Sequence, residues 1–152
     1  SSYMTLKIQI INGPNLNLLG KREPDIYGHL TLDEIKKEED SHCQPKKITA
    51  DFYQSNIEGE LVGKIQEISG SVDGLIINAA AFTHTSVAIL DALNTLNIPK
   101  IEVHISNVFA REEFRHKSMI SKSVNGIICG FGLNSYILAV DAIERIIKNE
   151  NK

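Results

Sequence analysis

In Ile101-Glu102-Val103-His104 apolar and ionisable residues alternate, so on an extended backbone Glu102 and His104 share one face and Ile101 and Val103 the other. A carboxylate beside an imidazole orients the ring and favours its charged form, which suits a general acid. The plainer alternative is a half-buried ion pair at a strand end. Tyr27 is a candidate base in a stretch, Asn12 to Gly28, that also carries Arg22 and Glu23. A phenol accepts a proton near neutrality only as its anion, which needs about 4 kcal/mol of preferential stabilisation that neighbouring guanidinium groups can supply. Otherwise a loop tyrosine serves packing or capping.

Other residues offer recognition. Ile105-Ser106-Asn107 leaves the apolar run with free backbone N–H groups, which suit a carboxylate or phosphate, and Ser106 adds a hydroxyl. Arg111 and Arg115 lie four apart in a charged segment and project from nearly one helical face. Facing a site they would grip a carboxylate, and facing solvent they would be ordinary surface charge. Asn78 ends another apolar run, Ala79 to Ala81 allow close approach of a ligand, His84 follows, and Asp91 lies two helical turns further on. His84, His104 and Glu102 lack the local spacing of zinc ligands, so hydrogen bonding is the preferred reading over a metal.

These residues must be positioned by elements that the pattern makes legible. Thr5 to Ile11, Ile48 to Gln54, Gly74 to Asn78, Pro99 to Ile105 and Gly126 to Cys129 read as five strands. Thr31 with Glu34, and Ser55 with Glu58, have capping-box spacing. The second helix has Leu61, Ile65 and Ile68 at helical spacing, the third a stripe of Val87, Leu90, Leu93 and Leu96, and the last, Asn134 to Lys148, an inward face of Ile137, Val140, Ile143 and Ile147. Ala110 to Lys117 reads as a charged helical segment. Lys36 to Lys47 offers almost no apolar face and contains Pro45, so the first helix is expected to be short or weakly packed at its end. The seventeen residues from Asn12 to Gly28 exceed the usual connection and read as a lid or binding loop.

The 152 residues suit a single domain that buries roughly 70% of its unfolded surface. Ser1, Ser2 and Tyr3 ahead of Met4 read as a remnant preceding it. A net charge of −3 with interspersed signs argues against a nucleic-acid partner, and no apolar stretch is long enough to span a membrane. Cys43 and Cys129, without CxxC spacing, point to a reducing compartment and hence the cytoplasm.

Five β/α units with strands apolar on both faces imply a doubly wound, flavodoxin-like parallel sheet covered by helices on both sides. Ligands of such sheets bind beyond the carboxyl ends of the strands, where the Asn12 to Gly28 loop, Asn78 with His84, and His104 with Ser106 all fall. The motifs GPNLNLLGKREPDIYG, FYQSNIEGE, NAAAFTHTSVA, IEVHISNVFAREEFR and GFGLNSY, spread from Ile8 to Ile146, together resemble type II 3-dehydroquinate dehydratase. That resemblance implies the flavodoxin-like fold and the dehydration of 3-dehydroquinate to 3-dehydroshikimate without metal or organic cofactor.

Matched position by position, the resemblance makes Tyr27 the base, His104 the acid oriented by Glu102, and Arg22 the cation that keeps Tyr27 ionised. Asn15 would place a water at the developing enolate. Asn78, His84 and Arg115 would hold the substrate's hydroxyls, and Ile105 and Ser106 its carboxylate. Asp91 would reach the site of a neighbouring subunit in trimers that assemble into dodecamers. Ala80 and Ala81 stand where the family commonly has a Gly pair.

Two readings compete on the same fold. A phosphoryl-receiver module would need an acidic cluster after the first strand and an aspartate ending the third, where this chain has Asn12 and Asn78. A flavin or nucleotide carrier would need more than Gly130-Phe131-Gly132.

Overall fold

The computed structural model of the protein describes residues 5–150; the remnant read at residues 1–4 lies outside them. Strands β1 (Leu6–Asn12), β2 (Ile48–Gln54), β3 (Gly74–Asn78), β4 (Lys100–His104) and β5 (Gly126–Cys129) form one parallel sheet in the order β2-β1-β3-β4-β5. This is the flavodoxin-like order expected from the β/α alternation. The helices are α1 (Pro24–Tyr27), α2 (Leu32–Cys43), α3 (Glu58–Glu67), α4 (Val87–Asn94) and α5 (Asn134–Glu150). Ile8, Ile10, Ile76 and Val103 pack with side chains of α2 and α5 on one face, and Ile11, Leu75 and Ile77 with those of α3 and α4 on the other. Both faces of the central strands are therefore withdrawn from water, which is why those strands are continuously apolar.

The sheet's carboxyl edge is tight. Gly13 N–H donates to the Asn78 carbonyl at 2.8 Å. A Cβ on Gly13 would run into the Ala79 carbonyl, so only glycine lets β1 leave the sheet across β3.

Local structure departs from the sequence reading in several places. The Lys36 to Lys47 stretch is a well-seated helix: α2 runs twelve residues to Cys43, and Pro45 falls in the first turn of a following 3-10 helix, Gln44–Lys46, where no amide donor is required. Its buried stripe is Ile35, Glu39 and Cys43, so the carboxyl and thiol occupy positions that a count of apolar residues misses. Thr31 does cap α2, accepting from Glu34 N–H at 3.2 Å. Ser55, by contrast, is not the cap of α3. Ile57 holds that position without a side-chain bond, and Ser55 Oγ instead accepts from Ile57 N–H at 3.0 Å and donates to Glu60 Oε1 at 2.5 Å.

The inward stripe of α4 is Ile89, Ala92 and Leu93, continued by Leu96, while Val87 is half exposed and Leu90 only partly buried. Ala110 to Lys117 is not one helix but two 3-10 turns, Val108–Ala110 and Glu113–Arg115, with Arg111 extended between them. The long stretch after β1 is also organised. It contains a 3-10 turn, Leu16–Leu18, and α1, and its buried Leu16 and Leu19 anchor it to the core.

Candidate active site

A cleft, part of it open to solvent, lies beyond the carboxyl ends of β1, β3 and β4. That is the place such sheets reserve for ligands. It draws Asn15, Arg22 and Tyr27 from the loop after β1, Asn78 and His84 from the end of β3 and the turn beyond it, and His104, Ile105, Ser106, Arg111 and Arg115 from the end of β4 and its following turns. All the expected site residues except Glu102 and Asp91 line it. Glu102 stands directly behind His104. Asp91 is on the exposed face of α4 and does not enter the cleft of its own chain.

The strand alternation places Glu102 and His104 on one face, 1% and 6% exposed. Glu102 Oε2 meets His104 Nε2 at 2.5 Å, and its other oxygen accepts from Ser121 Oγ at 2.8 Å and Ser118 Oγ at 3.1 Å. Burial works to raise the Glu102 carboxyl, but the bond and charge of His104 and the two serine hydroxyls outweigh it and hold the group ionised below its usual range. A buried carboxylate with every oxygen engaged holds the imidazole through Nε2 and leaves Nδ1 outside that bond. His84 stacks against this ring, with centroids 6.5 Å apart, and its own Nδ1 is tied to the Lys117 carbonyl at 2.8 Å.

Tyr27 ends the short helix α1, and Arg111 Nη1 donates to its hydroxyl at 2.7 Å. Arg22, the cation expected there, lies with its guanidinium 5.5 Å from the Tyr27 ring centroid and Arg111 with its own at 5.2 Å. The Arg111 side chain is 13% exposed and that of Arg22 41%. Charge acts more strongly where water is excluded, so Arg111 is the dominant partner of the phenol in this conformation. From sequence Arg111 reads only as a companion of Arg115 that would grip a carboxylate if it faced a site, and its bond to Tyr27 is not anticipated. Its spacing from Arg115 was the available signal, but helical geometry does not apply to the extended backbone at Arg111.

The remaining groups suit an oxygen-rich, anionic ligand. Ile105 and Ser106 line the cleft at the end of β4, and among the described residues neither backbone amide has a hydrogen-bond acceptor. Asn15 sits in the left-handed region at φ 69, which asparagine tolerates better than most residues. Its N–H donates to Asn56 Oδ1 at 2.9 Å, and Gln54 Nε2 donates to the same oxygen at 3.1 Å and to the Gly13 carbonyl at 3.1 Å. Gln54 and Asn56, from the FYQSNIEGE motif, thus pin Asn15 from the neighbouring strand end, a role unassigned from sequence. Ala80 is held in the left-handed region at φ 53. Among the described residues no three His, Cys, Asp or Glu side chains gather as metal ligands, and no helix is long and apolar enough to cross a membrane.

Fold and site together define a flavodoxin-like α/β chain with a carboxylate-backed imidazole and a cation-flanked phenol in one cleft. Residues 6–144 match the family described as dehydroquinase class II. The chain is 51% identical over 143 residues to the 3-dehydroquinate dehydratase of Prochlorococcus marinus (strain NATL1A), covering 94% of this chain and 99% of that protein. Among solved structures it superposes on the type II dehydroquinase from Butyrivibrio crossotus DSM 2876 with a TM-score of 0.90 at 49% identity, over 91% of this chain and 97% of that one. For the type II dehydroquinase from Propionibacterium acnes the TM-score is 0.88 at 42% identity, over 92% and 97%. The chain belongs to the class II dehydroquinase family.

Proposed function

We propose that the protein is a 3-dehydroquinate dehydratase, a hydro-lyase of the shikimate route to aromatic amino acids, acting as a single catalytic domain. The observation that carries the reading is the convergence, in a family member, of the Arg111-bonded Tyr27 and the Glu102-backed His104 on one cleft. In this mechanism the Tyr27 phenolate takes a proton from the carbon beside the substrate's ketone, and the electron pair moves onto the carbonyl oxygen as an enolate. The water placed by Asn15 stabilises that oxygen. The enolate then collapses, expelling the hydroxyl on the far carbon, which His104 protonates so that it leaves as water and a conjugated enone remains. Ile105 and Ser106 anchor the carboxylate, and Asn78, His84 and Arg115 the hydroxyls. Positioned donors aimed where charge develops are the largest source of rate in such sites.

The same reading includes assembly through trimers to a dodecamer, with Asp91 reaching a neighbour's cleft. The exposed Phe109, Phe114 and Phe131 support further burial on assembly. Cytoplasmic location is supported by the two free thiols, Cys43 and Cys129.

Incubation with 3-dehydroquinate, followed by ultraviolet absorbance, tests the activity. Growth of the enone band is the expected result, and a folded sample that produces none would overturn the assignment.

A further inference from the structure

Asn78 enters the cleft from the end of β3, in register with Asn12 at the end of β1, so the two side chains leave the sheet on the same face. Behind them, in the first turn of α5, lies Tyr136, fully buried and tilted against Phe52 with ring centroids 6.0 Å apart. Four hydrogen bonds run through this group. Asn12 Nδ2 donates to the Tyr53 carbonyl at 3.4 Å, Tyr136 Oη donates to Asn12 Oδ1 at 2.6 Å, Asn78 Nδ2 donates to Tyr136 Oη at 3.0 Å, and Ala80 N–H donates to Asn78 Oδ1 at 3.2 Å.

The direction of every proton in this chain is determined at its two ends, because both ends are backbone groups with only one possible role. The Tyr53 carbonyl must accept, which turns Asn12 Nδ2 toward it and Asn12 Oδ1 toward Tyr136. The Ala80 amide must donate, which turns Asn78 Oδ1 toward it and Nδ2 toward Tyr136. A single hydroxyl, with one proton to give and lone pairs to accept, satisfies both asparagines at once. Phenylalanine would fill the same space and bond neither, leaving Asn12 Oδ1 and Asn78 Nδ2 without the tyrosine hydroxyl and Asn78 held at its amide only by the Ala80 N–H.

We propose that Tyr136 is a positioning residue of the active site, whose hydroxyl locks the rotamer and amide orientation with which Asn78 meets the substrate. It touches no substrate itself. The proposal rests on the reading that Asn78 holds a substrate hydroxyl.

A double-mutant cycle in the full-length protein decides it, with 3-dehydroquinate as the substrate and thermal melting as the check on folding. Tyr136→Phe is expected to raise KM about ten-fold, with a smaller change in kcat. Asn78→Ala is expected to raise KM as well, and adding Tyr136→Phe to it to change KM less than two-fold, although the melting temperature falls further. Asn12→Ala, which frees the far side of the tyrosine hydroxyl without altering α5, is expected to raise KM in the same way and replaces Tyr136→Phe if that variant does not fold. An unchanged KM in Tyr136→Phe or Asn12→Ala beside an impaired Asn78→Ala, or effects that multiply in the double variant, would overturn the proposal. An unimpaired Asn78→Ala would instead remove Asn78 from the substrate contacts and the proposal with it, a result separable from a silent tyrosine.

Discussion

Two guanidinium groups approach Tyr27, but only Arg111 bonds its hydroxyl, and this ordering has a measurable consequence. Tyr27→Phe is expected to abolish turnover while leaving the melting temperature and binding of a carboxylate product analogue largely intact, since a positioned acid or base contributes 10²- to 10⁴-fold. Arg111→Ala is expected to lower kcat by about 10²-fold, the loss typical of removing one charge-stabilising donor. Steady-state rates that stay within two-fold for Arg111→Ala would place the main cation at Arg22. Ala80 presents a different residue-scale test. A left-handed alanine costs about 1 kcal/mol relative to glycine, so Ala80→Gly is expected to raise the melting temperature by about 2–4 °C. A lower melting temperature would mean that the Ala80 methyl contributes more by packing than its backbone loses.

At the scale of elements, α2 and α5 meet over a polar seam. Glu39 is fully buried on α2, with Oε1 accepting from the Cys43 thiol at 3.7 Å and Oε2 without a partner among the described residues. Burial pushes its carboxyl from 4.5 up to about 7, against the opposing Cys43 bond and His42 charge, with Asp141 and Asp40 adding to the rise. Burial likewise pushes the Cys43 thiol up to about 12. The folded chain therefore keeps a proton that the unfolded chain releases, and the stability this confers is fully present below pH 4.5 and lost as pH rises through about 7. Its size is at most about 3 kcal/mol. Glu39→Gln is expected to abolish that part of the pH slope, seen as a melting temperature that falls less than wild type's between pH 5 and 8. Parallel slopes for the two proteins would show that Glu39 does not titrate in this range. The pair His42 Nε2 and Asp141 Oδ1, 2.8 Å apart, bridges the same two helices and makes His42 the control substitution.

For the whole molecule, the cleft of one chain gathers every expected side chain except Glu102, which stands behind His104, and Asp91, which faces outward on α4. If a neighbour's Asp91 completes the site, two inactive variants can complement each other. Dissociated and reassembled together, Asp91→Ala and Tyr27→Phe chains are expected to regain part of the activity, because some mixed sites draw both intact residues from different chains. This applies once Asp91→Ala alone is shown to be impaired. Mixed oligomers that remain inactive would confine Asp91 to its own chain. The loop carrying Arg22 and Tyr27 is exposed at Lys21 and from Glu23 to Ile26, so a bound carboxylate analogue is expected to slow tryptic cleavage after Lys21 and Arg22.

Much of this architecture was legible in one sequence because it follows from local rules. Doubly buried parallel strands must be continuously apolar, and β/α alternation leaves few arrangements of the sheet. The period of two places Glu102 and His104 on one face, and the strand-end rule brings the loop with Tyr27, Asn78 with His84, and His104 with Ser106 to one edge of the sheet, whereas Asn15 follows only from the family resemblance. Other features depended on groups far apart in the chain. Whether Glu39 and Cys43 form a core stripe depends on α5, 99 residues away along the His42–Asp141 pair. The choice of Arg111 over Arg22 for the Tyr27 hydroxyl depends on a separation of 84 residues, and the lock on Asn78 on Tyr136 from 58 residues further along the chain. Periodicity describes what a backbone presents on each face, but the partner of a polar side chain is decided by what the fold packs against it, and that is information only the tertiary structure holds.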